Sequence, residues 1–117
     1  MKTIGIVGSR RRNTHEDFDK CITALDKIYE YGDRIVSGGC LEGGDKFAEQ
    51  IAKALGLTIT IHYPNWKKFG KFAGFERNTK IAKDCDVLIA LVAEDRTGGT
   101  EDTVKKVLKM NKEVIYC

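Results

Sequence analysis

The 117-residue sequence predicts one α/β domain over residues 1–117, with a five-stranded, mainly parallel sheet and helices on both faces. Short, β-rich apolar runs alternate along the chain with segments in which apolar residues recur at helical spacing. The connections are short, and no internal repeat or low-complexity tract interrupts the alternation. Strands that alternate with helices in this way form parallel sheets, and the crossover helices cover both faces.

The first half of the chain contains three predicted strands and two predicted helices. Residues 2–7, 34–37 and 58–63 form the strands, because each is a short run rich in β-branched side chains. Residues 15–31 and 45–55 form the helices, because their apolar side chains recur every three or four positions.

The second half predicts two more helices and two more strands. The helices cover residues 75–84 and 100–110. Residues 86–93 are nearly all apolar, as in a central strand that is covered on both faces. Residues 113–117 are predicted to form an edge strand.

The four strand-to-helix loops are expected to lie together. Right-handed crossovers place every such loop at the carboxyl ends of the strands, where open parallel sheets bind ligands. These loops hold most of the glycines and much of the basic and aromatic material. They cover residues 8–14, 38–44, 64–75 and 94–99.

Glycines concentrate in the second and fourth loops, "SGGCLEGGD" and "DRTGGTED". A glycine-rich turn that leads into a helix forms an anion site, because free N–H groups and the helix dipole meet there. Neither loop contains a Walker A motif or a dinucleotide-binding GxGxxG. The aspartate of the second loop caps the helix, orders the loop or binds ribose. The ligand-binding candidates here are Ser37, Gly38, Gly39, Gly43, Gly44, Asp45, Gly98, Gly99 and Thr100.

The first loop, "GSRRRNT", supplies positive charge. Gly8, Ser9 and Arg10 are predicted to form one wall of the site, since backbone amides and guanidinium groups suit phosphate. The alternative is a solvated basic turn in which Asn13 or Thr14 caps the first helix.

The third loop, within residues 63–78, interleaves aromatic side chains with lysines. Trp66 is a candidate to stack on a base, because aromatic side chains beside cations can hold a base and its phosphate. The alternative is an apolar mini-core beneath a long loop. Arg77 and Asn78, at the entrance to the third helix, are the other candidates here.

Composition excludes several classes of protein. A net charge of +3 does not demand a nucleic-acid partner. No run approaches the length of a bilayer span, and no signal peptide is visible, so a cytoplasmic location is expected. The four cysteines lie far apart without a histidine nearby, which predicts no metal site and no resident cofactor.

Six segments in register carry a family resemblance: "IVGSR", "IVSGGCLEGGD", "YPNWKKFGKFAG", "ERN", "DVLIALV" and "GGTEDTV". They resemble the SLOG superfamily of Rossmann-like nucleotide-binding domains, and most closely its small stand-alone YspA-like branch. The resemblance implies a small-molecule nucleotide ligand, such as an ADP-ribose-like or NAD-like compound or a nucleoside monophosphate. It also implies a sensor or binding module that forms a homo-oligomer.

The chain also resembles, more distantly, the lonely-guy phosphoribohydrolases, which release the base from a nucleoside monophosphate. Glu76 and Arg77 match their "ER" pair, whereas Thr103 stands where their catalytic glutamate is expected. This resemblance makes Arg77, Glu101 and Asp102 the catalytic candidates, and base release an alternative function.

DNA-processing protein A, which binds single-stranded DNA, is the other distant resemblance. Its motifs are matched by Gly8 with Arg10, by residues 37–45, and by Arg77 with Asn78. Binding of single-stranded nucleic acid is therefore the third hypothesis. The carboxylates around the predicted site disfavour it, since they repel a long polyanion.

Overall fold

A computed structural model describes all residues, 1–117, as five strands and five helices in alternation. The strands are β1 Thr3–Gly8, β2 Arg34–Ser37, β3 Ile59–Ile61, β4 Val87–Leu91 and β5 Glu113–Tyr116. The helices are α1 His15–Ile28, α2 Gly44–Leu55, α3 Trp66–Phe69, α4 Ala73–Asp84 and α5 Gly99–Lys109. No helix has the length and apolar character that crossing a bilayer requires.

The sheet is parallel throughout, with strand order β3-β2-β1-β4-β5. The central strand is β1, in which Ile4 pairs with Ile35 on one side and Val87 on the other. All five residues of β4 are buried, as its apolar sequence predicts. The predicted position of β5 at an edge is confirmed.

Two apolar layers flank the sheet, so the prediction of helices on both faces is confirmed. Alternate strand residues such as Ile4 and Ile6 pack on one side beneath α1 and α2. Val7 and Leu88 point to the other side, beneath α4 and α5. This alternation is the two-residue period of a strand.

The first helix shows how local chemistry sets its limits. Thr14 accepts a hydrogen bond from the Asp17 amide, and the Asp17 side chain returns to the Thr14 amide in a capping box. The helix ends at Ile28, earlier than its apolar pattern predicts. Buried Asp33 accepts hydrogen bonds from the amides of Glu30 and Lys2, which fixes the chain in a turn toward β2.

The predicted loop at 64–75 is wrong as a description of local structure. It contains the short helix α3, a 3₁₀ turn at Gly70–Phe72 and the start of α4. The Asn65 side chain begins α3 by accepting a hydrogen bond from the Lys68 amide at 3.0 Å. A single helical turn is too short to produce an apolar period, so the pattern could not reveal it.

Candidate functional site

A cavity of about 760 Å³ opens at the carboxyl ends of the strands. This volume lies in the range of pockets that hold small ligands. Residues from all four strand-to-helix connections line it, as the topology predicts. The predicted site residues in the lining are Gly8, Ser9, Arg10, Gly38, Gly39, Asp45, Trp66, Arg77, Asn78, Gly98, Gly99 and Thr100.

The start of α5 forms an open wall of this cavity. Gly98 precedes the helix with φ of +107° and offers no side-chain cap to the first amides. A Cβ added to Gly99 would meet no atom within 4 Å, so the backbone borders empty space. Uncapped amides and the positive end of the helix dipole therefore face the cavity, which is the arrangement that favours an anion.

The start of α2 has a different role, because it packs on the end of β1. The Gly43 amide donates to Asn13 Oδ1 at 2.9 Å. A Cβ on Gly44 would lie 2.5 Å from the Gly8 amide nitrogen, and one on Gly43 would clash with the Ser9 carbonyl. Neither Gly43 nor Gly44 lines the cavity. These two positions are glycine because the backbone of β1 and the first loop lies too close for any side chain.

Ser37 also lies outside the lining. Its buried hydroxyl donates to the Ile6 carbonyl at 2.5 Å and so links β2 to β1. The residue supports the second loop from beneath, at the point where the chain leaves the sheet.

Two of the three consecutive arginines are held in structural bonds. Arg12 pairs with Asp17 at 2.7 Å and donates to the carbonyls of Val92 and Cys117. Arg11 pairs with Asp95 at 2.8 Å and donates to the Thr97 carbonyl and hydroxyl, which joins the first loop to the fourth.

Arg10 is the one of these three consecutive arginines that has no carboxylate partner within 4 Å. Its Nε donates to the Cys40 sulfur at 3.1 Å, across the cavity from the first loop to the second. The guanidinium therefore keeps most of its donors and its full charge for a ligand.

Arg77 and Asn78 connect the second loop to the start of α5. Arg77 Nη1 donates to the Gly38 carbonyl at 2.5 Å, and its Nε donates to Asn78 Oδ1 at 2.8 Å. Asn78 Nδ2 donates in turn to the Gly99 carbonyl at 3.3 Å. No carboxylate lies within 4 Å of Arg77, and the charge of buried Asp45 acts on it from a greater distance within the same cavity.

Asp45 is the carboxylate of the lining, and it is only 6% exposed. Its Oδ2 accepts a hydrogen bond from the Cys40 amide at 3.2 Å. Burial raises the pKa of this carboxyl, while the Cys40 amide and the charge of Arg77 act against the increase. Asp45 orders the second loop; the predicted alternative that it caps α2 is wrong, because that helix has no side-chain cap.

The remaining catalytic candidates are bonded within the chain, and Asp102 also accepts a hydrogen bond from Asn78 Nδ2 at 3.1 Å. Glu101 is paired with Arg96 at 2.9 Å, and Asp102 is paired with Lys106 at 2.7 Å. Neither carboxylate lines the cavity, whereas Thr103 lines it and is 1% exposed. No cluster of histidine, cysteine or carboxylate side chains lies close enough together to hold a metal ion.

Exposed aromatic side chains form the rim of the cavity. Tyr63 is 64% exposed and Trp66 is 60% exposed. With Phe72 and Phe75 also exposed, the alternative of a mini-core beneath this segment is wrong. Tyr63 and Pro64 were missed as site residues, although their place in the connection that follows β3 is the signal that identifies them. Cys40, Leu41, Thr97 and Thr103 also line the cavity; all four lie in motifs quoted above, but none was named as a ligand-binding candidate.

No family model and no curated protein matches the chain. Among solved structures, the chain is similar to the X-ray structure of TM1055, a target of the Northeast Structural Genomics Consortium. The TM-score is 0.68 at 20% identity, and the alignment covers 97% of this chain and 72% of that chain. At this identity the similarity shows the fold, which is a single Rossmann-like α/β domain.

Proposed function

We propose that the cavity binds a phosphorylated nucleotide or a nucleotide-derived ligand, and that the protein is a sensor or binding module of the SLOG superfamily. The observation that carries this proposal is that the uncapped α5 amides and the Arg10 guanidinium, which has no carboxylate partner within 4 Å, line one cavity. Amides at a helix start and a free guanidinium are the two donor types that proteins use most for phosphate.

The rim supports the assignment of the rest of the ligand. Tyr63 and Trp66 present exposed ring surfaces beside the polar floor. A planar base stacks on such rings while the phosphate reaches the α5 amides. An ADP-ribose-like or NAD-like compound and a nucleoside monophosphate both combine these two groups, and the resemblance to the YspA-like branch favours the same ligands.

Replacement of Arg10 by alanine tests this proposal. We expect binding to weaken by about tenfold to a hundredfold, because a charge-assisted hydrogen bond contributes about 1.5–3 kcal/mol. Native mass spectrometry of the purified protein identifies any bound nucleotide, and calorimetry with a nucleotide panel measures affinity.

Arg34→Ala is the matched control, because Arg34 is exposed at the start of β2 and forms no ion pair. Its affinity should equal that of the unmodified protein. The proposal fails if no nucleotide of the panel binds, or if Arg10→Ala and Arg34→Ala bind alike.

Base release is the alternative that the lonely-guy resemblance implies, and the position of the carboxylates argues against it. Asp45, the carboxylate of the lining, is buried and bonded to the Cys40 amide. A general acid or base must reach the reacting atom within hydrogen-bond distance. We expect chromatography to detect negligible free base after incubation with nucleoside monophosphates. Rapid release that Asp102→Asn or Glu101→Gln abolishes would contradict this expectation.

Binding of single-stranded nucleic acid is a second candidate, favoured by the surface beside the rim. Lys67, Lys68 and Lys71 form no ion pair with a carboxylate, and exposed Trp66 and Phe72 lie on the same segment. If a single-stranded oligonucleotide binds through several phosphates, the logarithm of its binding constant falls with the logarithm of the salt concentration. The slope is about −0.7 for each phosphate that the protein neutralises. Weak oligonucleotide binding with a shallow slope favours the nucleotide proposal, and tight binding with a steep slope favours this candidate.

A further inference from the structure

Away from the cavity, α1 and the edge strand β5 border a groove of about 410 Å³. Its apolar floor comprises Ala24, Ile28 and Ile115. Charged side chains of α1 form its rim, from Glu16 near the start of the helix to Lys27 in its last turn. The groove is therefore an apolar strip beside a strand that has a neighbour on one side only.

The outer side of β5 presents unpaired backbone groups. The Cys117 amide donates inward to the Ala90 carbonyl at 3.2 Å, and Ile115 lies opposite Ile89. Because the backbone groups of a strand alternate in direction, those of Val114 and Tyr116 point away from β4. No strand lies beyond β5, so these groups are free to pair with another chain.

The rim charges are self-complementary under a two-fold axis. Glu16 and Lys27 lie at opposite ends of the same helical stripe, and neither forms an ion pair within the chain. A two-fold axis perpendicular to the sheet places α1 antiparallel to the same helix of a second copy. Where this axis passes level with the middle of α1, Glu16 lies opposite the partner's Lys27, and Lys27 lies opposite the partner's Glu16.

We propose that a second copy of this chain binds here, through antiparallel pairing of the two β5 strands across a two-fold axis at Ile115. Val114 then exchanges hydrogen bonds with the partner's Tyr116, and Tyr116 does so with the partner's Val114. The two sheets join into one, and the two α1 helices flank the junction on the same face. The opposite charges of Glu16 and Lys27 at the two ends of α1 favour a second copy as the partner, because a two-fold interface requires a surface that complements itself.

Crosslinking tests the register. Ile115 faces the partner's Ile115 as a non-hydrogen-bonded pair, whose Cα atoms are about 4.5 Å apart. This separation suits a disulfide. We expect Ile115→Cys to form a covalent dimer under mild oxidation. Leu55→Cys, an exposed position on α2, and the unmodified protein should stay uncrosslinked.

Sedimentation over a concentration series tests the interface itself. We expect the unmodified protein to dimerise and Lys27→Glu to weaken association about tenfold, because the new charge faces Glu16 in both symmetric contacts. The double variant Glu16→Lys with Lys27→Glu should restore the dimer. Lys53→Glu on α2 is the control, and thermal unfolding checks that each variant is folded.

A protein that stays monomeric over the whole series would overturn the proposal. A dimer that Lys27→Glu leaves unchanged and that Ile115→Cys does not crosslink would also overturn it, because such a dimer uses another surface.

Discussion

Replacement of Gly99 by valine is expected to weaken nucleotide binding by about a hundredfold while the protein remains folded. The backbone at Gly99 has no positive φ, and a Cβ there meets no atom within 4 Å, so the fold accepts a side chain. The added methyl groups occupy the cavity at the start of α5, where a phosphate is proposed to approach the amides. A steric conflict of about 3 kcal/mol corresponds to this loss of affinity.

Calorimetry and thermal unfolding together check this expectation. Arg34→Ala is the control, because Arg34 is exposed at the start of β2 and lies outside the cavity lining. This control should bind as the unmodified protein does. If a folded Gly99→Val variant binds with full affinity, the start of α5 does not contact the nucleotide.

Replacement of Gly44 by alanine is expected to have the largest effect on stability. Its Cβ would lie 2.5 Å from the backbone of both Gly8 and Val7, where no flexible side chain can move aside. The helix must retreat from β1 and disturb the packing of Phe47 and Ala48 beneath it. We expect the free energy of unfolding to fall by about 3 kcal/mol, the upper part of the range for overpacked interiors.

Denaturant unfolding measures this loss. Gly74→Ala within α4 provides the comparison, because its added Cβ makes only an ordinary contact with Trp66 at 4.0 Å. Glycine within a helix costs about 1 kcal/mol relative to alanine, so Gly74→Ala should stabilise the protein. Opposite signs for the two substitutions would identify the close approach at Gly44 as the cause. Equal stability of Gly44→Ala and the unmodified protein would show that α2 does not lie against β1.

Much of the site could be predicted because the topology brings distant loops together. The alternation of strands and helices predicted a parallel sheet, and a parallel sheet places every strand-to-helix loop at one edge. This argument predicted that the loop residues Gly8, Gly38 and Gly99 belong to one site. Arg77, just inside the predicted third helix, was a candidate from its place at the helix entrance and from the family resemblance, and all four residues line the cavity.

The different structural roles of residues of the same type could not be predicted from the sequence. Gly43 and Gly44 lie against the backbone of another segment, which leaves no room for a Cβ, whereas Gly98 and Gly99 border the cavity. The difference depends on which element lies above each glycine, and that is a property of the packed chain.

The three arginines show the same limit. Arg12 is bonded to the Cys117 carbonyl, 105 residues away, and Arg11 to Asp95, 84 residues away. Arg10 instead donates to the Cys40 sulfur, because no carboxylate of the folded chain lies within 4 Å of it. A run of like residues therefore predicts charge in a loop, and only tertiary contacts decide which charge remains available.

The central position of β1 has a consequence for the order of folding. Of the five strands, β1 is synthesised first, yet one of its two neighbours is β4, and the Thr3 amide donates to an Asp86 carboxylate 83 residues away. Pairings between such distant segments form slowly, because the intervening chain must be ordered before they gain any contact. During synthesis, the edge of β1 that pairs with β4 therefore has no strand partner until β4 has been translated.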